Sequence, residues 1–287
     1  RCLNAGPTRS RPRAALSRTP PEKLSGLHTL SPEVTSPPRS PAALSKAAVE
    51  KKPPRPTFPV MEMEIVLPDE VAVMTLPNVA FFPQALMPLH IFEPRYRQML
   101  KEALATHRLF AIAGIDPKKA EDATTFEPAH RVATVGIVRA CQKAENGTSN
   151  LLLQGLARVR LVQTVREDPY RIARIHALAS APGAGETENQ RLRTDLAKLI
   201  VTKQRLGGAV PPEFARFLKT IDDPEIFVDL AAFSLCEDAQ LKQRLLETLD
   251  VHLRLQLFSA RLRAEIETIK LRRKLQGRLE DDHISDN

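Results

Sequence analysis

Residues 76–99 read LPNVAFFPQALMPLHIFEPRYRQM, and two kinds of local structure meet inside that stretch. Leu86–Phe92 is an apolar run of strand length, bounded upstream by Phe82-Pro83-Gln84 and downstream by Glu93-Pro94. Proline suits the first position of a helix, where its missing N–H would have no partner anyway. From Pro94 the apolar residues Tyr96, Met99, Leu100 and Leu104 recur at helical spacing. A strand therefore passes directly into a helix at Glu93-Pro94, and mixed α and β structure follows.

Working outward, residues 60–180 read as short β-like runs: Val71–Leu76, Leu86–Phe92, Leu109–Gly114, Ala133–Cys141, Asn150–Gln154, Ala157–Arg166 and Arg171–Leu178. Asn146-Gly147 marks a hairpin between Val135–Lys143 and Asn150–Gln154, because Asn-Gly supplies the positive φ angles of tight turns. The cluster Ala181-Pro182-Gly183-Ala184-Gly185 is a boundary, and residues 181–278 read as helices. These are Thr187–Gln204, Pro211–Leu218, Pro224–Leu235, Asp238–Leu249 and a long helix from Asp250 to about Leu275. In the last, Leu255, Phe258, Leu262, Ile266 and Ile269 form an apolar stripe that needs a partner surface, and helices of the same chain are the expected one. Its charged end beyond Ile269 is expected to reach solvent. Residues 279–287 form an acidic end expected to be disordered.

The formal net charge is +8, and residues 1–59 hold all of the excess, with eleven Lys/Arg against three Glu. That segment also holds twelve of the 24 prolines and few large apolar residues, so it is expected to be disordered. Three readings of it stay open: a transit peptide, a basic linker or docking arm, or an upstream extension foreign to the natural protein. Arg1 in first place, with Met61 and Met63 just ahead of the first strand, favours the last of these. The balanced charge of residues 60–287 argues against a nucleic-acid face, which normally draws on a basic surface.

Cys2, Cys141 and Cys236 form no CxxC pair and no disulfide framework, which fits reduced thiols and a cytoplasmic location. No apolar run approaches the roughly 20 residues that span a bilayer. A phosphate loop needs glycines followed by Lys and Ser/Thr, yet no Gly-Lys dipeptide occurs. GxSxG and HExxH are missing, and His28, His90, His107, His130, His176, His252 and His283 are scattered. The expectation is a protein that is not an enzyme, with no cofactor and no metal.

The stretch 76–99, and Phe92-Glu93-Pro94-Arg95-Tyr96 within it, resembles the opening signature of the amino-terminal, substrate-binding domain of Lon-type proteases. Further similar segments follow in order: Val135-Gly136, Leu153-Gln154-Gly155-Leu156-Ala157-Arg158-Val159-Arg160, Pro169-Tyr170-Arg171-Ile172-Ala173, Ile221-Asp222-Asp223-Pro224 and Lys242-Gln243-Arg244-Leu245-Leu246-Glu247. They cover roughly residues 70–275. At Gln84, where the family usually has glycine, this chain departs, and a reshaped loop is expected.

The resemblance implies an α+β fold: a PUA-like β pseudo-barrel with one helix, followed by an α-helical subdomain ending in a long helix. It also implies recognition of unfolded or misfolded protein segments, in quality control or as a proteolysis adaptor, without ATPase or peptidase. A protease or other protein is a further expected partner, through the long terminal helix. Phe81, Phe82, Pro83 and Gln84 are the candidate peptide contacts, as exposed apolar groups on a loop. Phe92, Glu93, Pro94, Arg95, Tyr96, Gly155 and Arg158 are signature residues with expected structural roles. Glu93 is expected to cap the helix that Pro94 opens, and Arg95 and Tyr96 to tie it to strands. A PUA-like RNA-binding protein is the alternative reading; an uncharacterised hydrolase has no motif behind it.

Overall fold

The computed structural model describes residues 66–121 and 127–276, all within one unit, Glu62–Asn287. The expectations for residues 1–59 and 279–287 lie outside the described residues. Six strands appear in chain order: β1 (Glu70–Leu76), β2 (Leu86–Ile91), β3 (Leu109–Gly114), β4 (Val132–Lys143), β5 (Ser149–Arg166) and β6 (Ile172–Ala177). Helix α1 (Pro94–Ala105) follows β2, and a single turn, α2 (Pro117–Ala120), follows β3. Five helices come after the strands: α3 (Glu186–Arg205), α4 (Pro212–Leu218), α5 (Pro224–Leu235), α6 (Ala239–Glu247) and α7 (Val251–Gln276). This is the α+β arrangement expected.

The sheet order is β2-β5-β4-β3-β1-β6, and an added β5–β6 pairing closes five of the strands into a ring. β1 and β3 run parallel, and the other pairs are antiparallel. β5 makes this possible by its length. Its first part pairs with β2, at Ser149 to Gln154, and its second with β6, at Val159 to Arg166, while β4 takes the opposite edge. β2 is thus a lone strand hung on the ring.

The two strands expected at Asn150–Gln154 and Ala157–Arg166 are this single β5. Gly155, which lies between the two expected strands, is a place of close approach. Its N–H donates to Ala85 O and its carbonyl accepts from Gln84 N, both at 2.9 Å. A Cβ there would lie 2.1 Å from the Phe82 carbonyl oxygen. The β4–β5 hairpin turns where expected, but only Gly147, at φ +80°, has a positive φ. Asn146 contributes its side chain instead, accepting from Thr148 N at 3.0 Å. Helix α2 escaped the sequence reading because one turn, capped by Asp116 on Lys118 N, is too short to show a period.

A small apolar cluster (Val71, Val73, Leu109, Val135 and Val159 among others) fills the ring. A larger one runs from Phe81, Phe82 and Leu153 through Leu196, Phe227, Leu255, Phe258 and Leu262. The strands and the helical part therefore share one core, and burying it is the main favourable term holding them together. Leu262 is wholly buried within the chain, as are Leu255 and Phe258. Ile269, at the end of the same stripe, is half-buried.

Candidate functional site

A buried ionic junction ties β5 to the helices. Arg158 donates through Nε to Leu246 O at 3.1 Å and through Nη2 to Asp229 Oδ1 at 2.7 Å. Arg254, on α7, reaches the same Asp229 oxygen through Nη1, and Ser180 Oγ through Nη2 at 2.8 Å. Glu225, one turn ahead of Asp229 on α5, receives Arg254 Nη2 at 3.0 Å and the Ser180 hydroxyl. Two guanidinium groups thus face two carboxylates, which is the neutral balance a dry site requires. Burial alone would raise the pKa of Glu225, but bonds from Ser180 and Arg254 and the charges of both arginines hold it below the usual carboxylate range. Nothing in the sequence pairs these residues, since 71 positions separate Arg158 from Asp229.

The signature residues around Pro94 form a second charged knot. Glu93 occupies the N-cap position of α1, but its side chain makes no cap bond. Its carboxylate accepts from Arg95 Nε at 2.8 Å instead, because a guanidinium is a stronger donor than a backbone amide. Arg95 also donates to Glu127 at 2.6 and 3.1 Å, which holds its pKa well above the ordinary arginine value. Tyr96 OH lies 3.3 Å from both the amide and hydroxyl of Thr75, on the edge of β1 that β6 leaves uncovered. Burial pushes the phenol up from its ordinary value. Burial opposes ionisation of Glu127, yet bonds from Arg95 and Thr75 and the charges of Arg95 and Arg171 hold it low. A cleft of about 670 Å³ opens over Val73, Thr75, Tyr96, Glu127 and Arg171, walled by groups that bond one another. Among the described residues, no cluster of His, Cys, Asp and Glu could hold a metal ion.

The candidate contact loop needs correction. Phe81 and Phe82 are completely buried, so they are not exposed apolar groups. Phe81 packs edge-on to Phe233, with ring centroids 6.0 Å apart, and its carbonyl accepts from Thr134 Oγ1. The Arg158 guanidinium lies 5.7 Å from the centre of the Phe82 ring. Pro83 is half-buried and Gln84 exposed, so only the polar tip of the loop reaches water. Gln84 adopts φ +62°, the left-handed conformation glycine accepts most readily, so the turn keeps a glycine-like backbone without glycine. Its side chain accepts from Gln154, which accepts in turn from Arg139.

From Gln84 the exposed side chains continue along the outer face of β2, through Leu86, Pro88 and His90 to Phe92. Register places Pro88 beside Leu152 of β5, and Leu152 beside Ala140 of β4, so an apolar row crosses three strands. Leu86 is 51% and Phe92 61% exposed, large values for side chains of that kind. The Phe92 ring stacks on His90, which bonds Asn150 Oδ1 at 2.7 Å. Pro88 lacks an N–H, so the free edge of β2 cannot serve as an unbroken template for another strand. The side-chain face, rather than the strand edge, is what this surface offers.

A family model described as the ATP-dependent protease La (LON) substrate-binding domain matches residues 70–263. The Lon protease of Desulfosudis oleivorans is 28% identical over 218 residues, which cover 75% of this chain and 26% of that protein. That of Syntrophus aciditrophicus is 29% identical over 220 residues, covering 75% and 28%. The chain thus spans about a quarter of the length of these curated relatives. A Lon N-terminal domain protein from Xanthomonas campestris matches in structure with a TM-score of 0.50 at 18% identity, over 67% of this chain and 97% of that one. The N-terminal domain of Mycobacterium avium complex Lon protease gives 0.51 at 17%, over 66% and 95%. At these identities the likeness is one of fold.

Proposed function

Because the chain belongs to the Lon substrate-binding domain family, we propose that it is a non-catalytic recognition module for exposed apolar segments of unfolded client proteins. The observation that carries this reading is the outer face of β2 and its neighbours. Leu86, Pro88 and Phe92, with Leu152 and Ala140 behind them, make an apolar row across three strands. Unfolded chains present apolar side chains in extended segments, and a shallow row of this kind receives them without demanding one sequence. Pro83 and Gln84 stand at one end of the row and bound it.

Fluorescence anisotropy of a labelled, reduced and alkylated unfolded protein titrated with the full chain tests the reading. Leu86→Asp combined with Phe92→Asp is expected to weaken binding at least tenfold, about 1.4 kcal/mol, with little change in melting temperature. Unchanged affinity in that double variant would overturn it. The same preparations are expected neither to hydrolyse ATP nor to cleave casein. Turnover that a single Ser→Ala change abolishes would show an enzyme instead. Quality control or adaptor service to a protease is the role this binding suits.

A further inference from the structure

We propose that the outward face of α7 docks an acidic amphipathic helix of another protein. The helix is apolar on two opposite sides. One side, Leu255, Phe258, Leu262 and Ile266, is buried in the core. The other consists of Leu253, Ala260, Ala264, Leu271 and Leu275, all exposed and separated by seven or four residues. Leu271 stands five residues beyond Ile266, about 140° around a helix of 3.6 residues per turn, so the two stripes cannot face the same neighbour. Leu271 and Leu275 are 58% and 57% exposed, and Leu253 is 42% exposed. Leucines at both ends with alanines between them, at heptad-like spacing, suit the close approach of a second helix.

Charge selects the occupant. The exposed positions flanking this stripe carry Arg263, Lys270, Arg272 and Lys274, against the one exposed carboxylate of Glu267 among the described residues of the helix. Lys270 and Glu267 already pair, at 2.8 Å. A second copy of the chain would bring the same excess of cations to the seam, where like charges oppose association. A helix with leucines at heptad spacing and Asp or Glu on its flanks complements both the shape and the charge. This surface shares no residue with the β2 face, so the two proposals stand or fall separately.

The test uses the full chain and a labelled 28-residue peptide with leucine at the a and d positions and glutamate on the flanks. A control peptide carries lysine in place of each glutamate. The acidic peptide is expected to bind in the micromolar range at low salt and more weakly as salt rises, while the lysine peptide does not bind. Leu271→Asp with Leu275→Asp should weaken binding at least tenfold, and Lys270→Glu with Lys274→Glu severalfold, with melting temperature and unfolded-client binding unchanged. Equal binding of both peptides, or no effect of the aspartates, overturns the proposal. So does a dimer in sedimentation that Leu271→Asp dissolves, which would make a second copy the occupant. Binding to phosphatidylserine vesicles but not to the acidic peptide overturns it too, in favour of a lipid surface.

Discussion

Arg158 and Arg95 each stand between two carboxylates, but the first keeps 2% of its side chain exposed and the second 25%. Around Arg158 the partners are Asp229 and Glu225, with Arg254 sharing both. Around Arg95 they are Glu93 and Glu127, whose side chains are 38% and 22% exposed at the cleft. The bonds look alike, yet what rests on them differs. In the junction Arg158, Arg254 and Asp229 are almost wholly buried and depend on one another, because water reaches only Glu225 at its rim. At the cleft, water is at hand to compensate, and ion pairs there are worth less.

Asp229→Asn should separate the two most sharply. It leaves Arg158 and Arg254 with one partly exposed carboxylate between them, and a loss of about 3–5 kcal/mol is expected from urea unfolding. A loss under about 1 kcal/mol would mean that water enters the junction, and the contrast would fail. Glu127→Gln comes second. Arg95 keeps Glu93 and solvent, so a loss of about 1–2 kcal/mol is expected by the same measurement. A cost matching that of Asp229→Asn would make the cleft as dry as the junction.

The smallest effect is in acid. Glu225 and Glu127 are both held below the ordinary glutamate value of 4.5, so their contributions are fully present above that pH. Those contributions are lost as pH falls through the lower folded values. Wild-type stability should therefore decline below about pH 4.5, and Glu127→Gln, with one such carboxylate fewer, should decline less steeply. A variant as steep as wild type in thermal melts between pH 5 and 3 would remove Glu127 from the account.

Element boundaries were legible in the sequence where turn chemistry marked them, as at Pro94, Asn146-Gly147 and Pro224. The longer resemblance from Leu76 onward carried the family. What stayed hidden has identifiable causes. The outer face of β2 does not alternate visibly, because Met87, Leu89 and Ile91 are apolar as well as Leu86, Pro88 and Phe92. Phe81 and Phe82 look like the exposed apolar pair instead, because their burial depends on Phe233 and Arg158, far along the chain. The second stripe of α7 was obscured by the first, since its alanines look unremarkable until the opposite face is known to be filled. Arg254 fell within the resemblance, but nothing in the sequence marked it as buried or paired it with Asp229. In a row of charged residues on a long helix, only the fold shows that one of them is wholly buried.

The double duty of β5 has a kinetic consequence. Its neighbours β4 and β6 belong to a closed ring, so freeing either one opens the whole barrel. β2 is fastened by one ladder, from Leu86 to Ile91, and can lift away with the ring intact. In amide exchange, Met87 and Ile91 should therefore open by a local, low-energy route, while Val135 and Val159 wait for global unfolding. Each local opening would bring the buried side chains of Met87 and Ile91 to the surface between Leu86 and Phe92, briefly widening the apolar strip on the strand that already displays it.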